Sequence, residues 1–350
     1  MTQNPAFPVS DEAAALHAEL LTLDSHIDIP WPDRNDVFTD TPDRHVDFPK
    51  MKRGGVSAGC FVAYQAQGPL TPEDHARAAE TGIAMLETIR AMARTENGLT
   101  ARLCILADDV EQSHRDNVLA VIPAVENGYA MGEDLSLLAR FRALGARYVT
   151  LTHNGHNALG DSSRPASRLG DRETLHGGLS ALGRQAVTEM NRLGLIVDVS
   201  HTSRDTMLQA TDLSSVPVVA THACVKALCD HPRNLDDTQL DALKASGGVI
   251  QITAMGTFLL PVNTLRTREA SIADFADHLD YVVRRIGPEH VGISSDFDGG
   301  GHLRGWENAA ESPMLTAELL RRGYDRSEIT AFWGGNFLRV LRQAEAAAEA

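Results

Sequence analysis

The sequence predicts an α/β fold, a single (β/α)8 TIM barrel over residues 1–350 with additional N- and C-terminal helices, on three observations. Near-continuous apolar runs alternate with helical segments along the chain, as expected of parallel strands buried on both faces. Several of those runs end in His, Asp or Glu, and barrels of this kind build their sites at the C-terminal ends of the strands. A length of 350 residues fits two average domains or one large barrel. No internal repeat, low-complexity stretch or linker divides it, which favours the barrel.

The elements follow in order. Ser10-Asp11 caps a first helix, Glu12 to about Leu20, and Leu21-Thr22-Leu23 starts a strand that runs into Asp24-Ser25-His26-Ile27-Asp28. Residues two apart in an extended chain point the same way, so His26 and Asp28 can face one ion. Alone, the pair reads equally well as a surface turn before Pro30 and Pro32. A Pro/Asp-rich loop, Pro30 to Pro49, leads to a second strand at about Val56–Tyr64. Thr71-Pro72-Glu73 opens a long amphipathic helix to about Arg94, with Thr at the cap, Pro in the first turn and an acid just inside. Val118–Val125 is nearly all apolar and delivers Glu126. A carboxylate directly after a buried strand is costly unless it is paired or holds a metal. Arg147–Thr152 is a further strand and ends at His153. The polar stretch 154–178 reads as an active-site loop, because loops of that length in compact domains are usually functional or mobile.

Leu179–Leu193 has helical spacing and stops at Gly194. The unit that follows organises the chain: Leu195–Val199 runs apolar into Ser200-His201, Thr202-Ser203 offers a helix N-cap, and Val218-Val219-Ala220 runs into Thr221-His222. This is a βαβ crossover with a histidine at the end of each strand. A loop then carries His231-Pro232-Arg233-Asn234, and Asp236–Ala245 is a short helix. Gly248–Thr253 is the seventh strand, Ile272–Arg285 a helix, and His290–Ser295 the eighth strand, ending in Asp296-Phe297-Asp298 and three glycines. Helices at about Leu315–Arg322 and Ser327–Ala347 finish the chain.

The composition narrows the function. A formal net charge of −15 argues against nucleic acid or an anionic membrane as partner, since both need a basic face. Cys60, Cys104, Cys224 and Cys229 form no CxxC pair and read as reduced thiols. No signal peptide, spanning apolar run or hydrophobic C-terminal anchor is visible, so a cytoplasmic address is expected.

Collected by strand, the end positions are His26 and Asp28, Glu126, His153, His201, His222 and Asp296. Five of these make a ligand set for two divalent metals: three imidazoles, one terminal carboxylate and one carboxylate able to bridge. Zinc fits these N/O donors, with manganese or cobalt as alternatives. A hydroxide between two such cations is a nucleophile at neutral pH. Asp296 can take the proton of that water and pass it to a leaving group. His153 can donate to the developing oxyanion, and Arg233 offers a fork for a substrate carboxylate.

These residues carry a resemblance. The run Asp24-Ser25-His26-Ile27-Asp28-Ile29-Pro30-Trp31 resembles the first metal motif of the renal (membrane) dipeptidase family. The run from Gly178 through Gly183, Glu189 and Gly194 to Asp198-Val199-Ser200-His201 is similar to that family's most distinctive segment. Leu151-Thr152-His153-Asn154, His231-Pro232-Arg233-Asn234 and Asp296-Phe297-Asp298-Gly299 also match it. The resemblance implies a bacterial-type cytosolic dipeptidase with two Zn2+ per chain, commonly a homodimer, in the wider amidohydrolase-like superfamily. It implies that His26 and Asp28 bind one zinc and His201 and His222 the other, with Glu126 bridging. It further implies that His153 and Arg233 contact substrate and that Asp296 is the catalytic acid/base. The expected substrates are small dipeptides, L,D-dipeptides among them. Two departures bear on the pocket: Asn127-Gly128-Tyr129 stands where mammalian members carry Gly-Gly-His, and Thr253-Ala254-Met255 replaces an Asn-Phe-Tyr type sequence.

Two other readings remain open on the residues alone. The same metal barrel could act on another amide, a lactone or a phosphoester, for which a carboxylate fork at Arg233 has no use. A barrel that has lost catalysis and serves as a binding protein would have no need of the full ligand set with Asp296.

Overall fold

The apolar runs become short strands that curve around a common axis in the computed structural model, which describes residues 7–29, 31–32 and 36–348. Pro30, which opens the predicted 30–49 loop, and the start of the N-terminal stretch read for a targeting signal lie outside the described residues. The strands are β1 Leu23–Asp28, β2 Ala58–Tyr64, β3 Thr95–Glu96, β4 Leu99–Leu103, β5 Leu119–Glu126, β6 Tyr148–Thr150, β7 Ile196–Asp198, β8 Val219–Ala223, β9 Val249–Thr253 and β10 Val291–Ser294. Eight of them lie side by side in parallel, in the order β1-β2-β5-β6-β7-β8-β9-β10, with helices around them. The result is a nearly closed eight-stranded barrel. The gap between β10 and β1 is bridged just past the strand end, where Asp296 N–H donates to His26 O (3.1 Å) and Asp28 N–H to Phe297 O (3.1 Å). Closure at that point sets Asp296 beside His26 and Asp28.

Period two divides the core. On β2 and β5, Ala58, Cys60, Val62, Ala120, Ile122 and Ala124 belong to one apolar cluster, and Phe61, Ala63, Val121 and Val125 to another. The first cluster also contains Phe337, Val340 and Leu341 of the last helix, Asn336–Ala347. That helix crosses the N-terminal ends of the strands, where Arg339 donates to Gly247 O and Glu289 O at 2.8 Å each, just ahead of β9 and β10. Side-chain caps fix the helices where the sequence places them: Ser10, Thr71, Ser203 and Asp236 each accept a backbone N–H of the first turn.

One segment adds to the eight predicted strands. Residues 95–103 form a hairpin, and β4 pairs in parallel with the first half of β5, Ala101 opposite Leu119. The hairpin is half exposed and has no continuous apolar run, so apolar patterning passes over it. Its cue is the Asn97-Gly98 turn, with φ of 50° and 77°, a dipeptide that favours two-residue hairpins. The final helical stretch is likewise not one helix. Arg326–Thr330 and Asn336–Ala347 are joined by a π-turn over Ala331–Gly335. No described helix is long and apolar enough to cross a membrane.

Candidate metal centre and active site

Glu126 closes β5 and is buried, and imidazoles from several strands converge on it. His26 Nε2 lies 3.4 Å from Oε2, while His201 Nε2 and His222 Nε2 lie 3.2 and 3.4 Å from Oε1. His153 Nε2 stands further off, 3.8 Å from Oε1. Asp28 Oδ2 is 4.0 Å from His26 Nε2, on the same side of β1. Three overlapping donor groups result: His26 with Glu126 and His222, Glu126 with His153 and His201, and His26 with Asp28 and Asp296. The sequence-predicted residues therefore meet in one place.

Local backbone irregularities aim these side chains. The β1–β2 register shifts between Asp24 and Ile27, and the β8–β9 register shifts between Ala220 and Ala223. Each shift spans a site histidine, and bulges re-aim side chains in this way. His201, Asp296 and Asp298 take left-handed backbone, with φ of 65°, 59° and 63°. Such conformations cost about 1–3 kcal/mol each at non-glycine residues and collect at functional sites. Gly299 is required for a different reason. A Cβ there would sit 2.2 Å from Asp28 Oδ2 and 2.6 Å from Asp296 Oδ1.

Hydroxyl groups orient the imidazoles. Tyr148 donates its O–H to Ser25 O at 3.0 Å, so its oxygen can only accept from His26 Nδ1, also at 3.0 Å. Thr221 donates to Asp198 Oδ2 at 2.7 Å and in turn accepts from His222 Nδ1 at 3.0 Å. Both rings thus carry the proton on Nδ1 and turn Nε2 toward Glu126. His26 Nε2 is buried with no hydrogen-bond partner. A buried imidazole with one nitrogen anchored and the other unsatisfied is how a metal-binding histidine is held. Asp198 itself accepts from Thr150 Oγ1, Thr221 Oγ1 and the N–H groups of Ser200 and Thr221.

The electrostatics call for a cation. Burial pushes the Asp28 carboxyl well above the usual range, and Glu126, Asp296 and Asp298 push it further. Burial and Glu126 raise Asp296 to about 7, against the pull of His26 and Arg233. Burial works against a charge on His26, yet Glu126, Asp296 and Asp28 override it and lift the ring to about 10. The raised proton affinities of Asp28, Asp296 and His26 express a demand for positive charge that a metal cation would meet. The residues present therefore fit divalent ions: imidazole and carboxylate donors, a surplus of buried negative charge, and a vacant nitrogen aimed inward.

Asp28, Glu126, His153, His201, His222 and Asp296 line a cavity of about 420 Å³, together with Arg233, Phe258 and Met255. Arg233 is 3% exposed. It donates from Nη2 to His222 O at 3.0 Å, its Cζ lies 5.2 Å above the Phe258 ring, and its Nε is buried without a partner. Burial lowers its pKa to about 10 although Asp296 and Glu126 act to raise it. His153 is held near 4, chiefly by burial, and its ring lies 4.7 Å from that of Tyr64. Sequence patterning does not single out Tyr64, Tyr148, Arg164 or Phe258. Of these, only Tyr64 at a strand end carried a positional signal.

Comparison with known proteins gives the same picture. The profile of the membrane dipeptidase family, peptidase family M19, matches residues 10–350. Dipeptidase aclJ of Aspergillus oryzae is 34% identical over 314 residues, covering 88% of this chain and 72% of that protein. The uncharacterized dipeptidase C965.12 of Schizosaccharomyces pombe is 33% identical, over 94% of this chain and 81% of that one. Among solved structures, the probable dipeptidase PvdM from Pseudomonas aeruginosa superposes with a TM-score of 0.89 at 30% identity, covering 96% and 98% of the two chains. A metallo peptidase from Rhodobacter sphaeroides, solved with a phosphinate mimic of the dipeptide L-Ala-D-Ala, gives 0.79 at 26% identity over 93% and 99%. The chain belongs to the membrane dipeptidase family, peptidase family M19, and is a metal-dependent dipeptidase of that family.

Proposed function

We propose that the protein is a binuclear zinc dipeptidase, with His26 and Asp28 on one ion, His201 and His222 on the other, and Glu126 bridging. The observation that carries this reading is the convergence of three Nε2 atoms, from different parts of the barrel, within 3.4 Å of the one buried carboxylate of Glu126. Bound at these residues, divalent ions would activate water as a nucleophile at neutral pH and would polarise the scissile carbonyl.

The remaining steps fall to the chain. Arg233 takes the C-terminal carboxylate of the dipeptide through its unpaired guanidinium face and so orients the peptide bond. His153, neutral because it is buried, donates from Nε2 to the carbonyl oxygen as charge develops there. Asp296, at the closure of the barrel, accepts the proton of the attacking water on a carboxylate oxygen. It then delivers that proton to the leaving amine. A lactone, phosphoester or neutral amide would leave Arg233 buried without a partner, which disfavours those substrates.

The reading includes L,D-dipeptides, supported by the L-Ala-D-Ala mimic bound to the Rhodobacter sphaeroides neighbour. It takes residues 1–350 as one catalytic unit, the 154–178 loop as part of the active site, and the working form as a cytoplasmic homodimer. The test is a screen of L,L-, L,D- and D,L-dipeptides with protein stripped by chelator and reloaded with zinc. Zinc-dependent hydrolysis of at least one class is expected. Zinc-loaded protein that cleaves none of them overturns the reading.

A further inference from the structure

A second guanidinium lines the cavity and the steps above do not use it. Arg164 lies in the loop after β6 and reaches the same cavity as Arg233 and His153, but it is exposed at the mouth. Among the described residues no carboxylate pairs with it. Its backbone is nevertheless fixed. Arg164 N–H donates to Ser162 Oγ at 3.1 Å, Arg164 O accepts from Gly155 N–H at 2.8 Å, and Ser163 N–H donates to His201 O at 2.8 Å. Ser162 Oγ donates to His153 O. Buried Asp161 gathers the far side of the loop, accepting the N–H groups of Leu175, His176, Gly177 and Gly178 at 2.8–3.2 Å. The loop thus presents Arg164 from a built platform tied to two site histidines.

Arg164 and Arg233 line the same cavity and act on the same neighbours. The His231 ring stacks on Phe258 at 4.6 Å, and Arg233 lies over the same Phe258 ring. Burial lowers His231 to about 4, and Arg164 and then Arg233 lower it further. Both guanidiniums also act on His153. The acids Asp28, Glu126, Asp296 and Asp298 line the same cavity. With Arg233 holding the substrate's terminal carboxylate, Arg164 is the remaining guanidinium of the cavity lining for a second substrate carboxylate. A dipeptide with two carboxylates and one ammonium carries a net negative charge and approaches a protein of net charge −15 against a repulsive field, which a cation at the mouth offsets locally.

We propose that Arg164 is a specificity-determining residue that reads a carboxylate in the side chain of the substrate's C-terminal residue, so that dipeptides ending in aspartate or glutamate are preferred over their amides. The inference rests on the dipeptidase reading. The experiment compares kcat/KM for Ala-Glu and Ala-Gln, with the C-terminal residue in each configuration, using the zinc-loaded full chain and its Arg164→Gln and Arg164→Glu variants. For an exposed charge pair, a preference for glutamate of about fivefold is expected in the wild type. It should fall to near parity in Arg164→Gln and invert in Arg164→Glu, and the wild-type preference should shrink as salt is raised. A purely structural loop residue would lower both substrates together and leave the ratio and its salt dependence unchanged. Hydrolysis of Ala-Gln with the same ratio in all three proteins, or no wild-type preference, overturns the role of Arg164 and leaves the dipeptidase reading standing. Failure of the wild type to cleave Ala-Glu while it cleaves other dipeptides overturns the role of Arg164 alone, and failure on every dipeptide of the wider screen overturns the reading on which it rests.

Discussion

Tyr148→Phe removes one oxygen atom that stands between two buried groups, and its consequences can be worked from the structure. The hydroxyl accepts from His26 Nδ1 and donates to Ser25 O, each at 3.0 Å. Tyr148 is fully buried, so no solvent replaces the lost partner. Each of the two buried groups left unsatisfied costs about 1–3 kcal/mol, so folding should weaken by about 2–6 kcal/mol in all. The second effect is on metal. Groups that orient a ligating histidine typically contribute 10–100-fold in affinity, or about 1.4–2.7 kcal/mol. Competition for zinc against a chromophoric chelator, alongside thermal melting of the chelator-treated protein, reads the two effects separately. Both should fall. A variant that melts lower but binds zinc as tightly as wild type would show that Tyr148 only packs, and would refute the argument that its hydroxyl sets the His26 tautomer.

Three other outcomes follow from the same geometry. Arg233→Lys should lower kcat/KM on dipeptides about ten- to a hundredfold, because an ammonium cannot reproduce a planar fork. The loss should disappear on dipeptide amides, and an unchanged preference for acid over amide would mean another group reads the carboxylate. Gly299→Ala should lower metal content while the chelator-treated protein melts nearly as wild type does, since the added Cβ meets the carboxylate ends of Asp28 and Asp296; unchanged zinc affinity would contradict the packing argument. The third concerns pH and lies outside the metal site. His17, bonded at 2.7 Å to both Thr316 Oγ1 and Gly54 O, is lowered by burial to about 4. The unfolded ring titrates near 6.5, so below that pH the unfolded state takes up a proton that the folded state refuses. The stability is therefore complete above about 6.5 and is lost as pH falls toward 4, by up to about 3 kcal/mol. His17→Gln should show a shallower decline of melting temperature over that window, and identical slopes would exclude His17 as a contributor.

The sequence exposes the parts of this fold that rest on patterning along a single strand. Buried parallel strands need apolar residues on both faces, so the runs ending at His26, Glu126, His201 and His222 stand out, and their polar ends become conspicuous. What it hides are contacts made across the barrel. Tyr148 meets His26 from a strand 122 residues away, and in sequence it is an ordinary β-forming aromatic. Asp24 and Asp198 read as parts of motifs, yet their work is to gather N–H and O–H groups beneath the ligands. The bulges around His26 and His222 leave no mark on composition, because a register shift is a relation between two strands. The β3–β4 hairpin is hidden for the opposite reason, being too polar and too exposed for an apolar pattern. Arg164 belongs to a loop whose path is set by Asp161 and Ser162, so its place at the cavity mouth emerges only with the fold.

The central claim is that five residues from the ends of four strands hold two metal ions, with Glu126 shared between them. Elemental analysis of the purified, zinc-reconstituted chain and of its Glu126→Ala variant tests it most directly, with circular dichroism to confirm that both are folded. The account predicts two zinc ions per wild-type chain and loss from both positions in the folded variant, because the shared ligand is gone. A wild-type chain that retains no zinc after reconstitution, or a Glu126→Ala chain that keeps both ions, would contradict it.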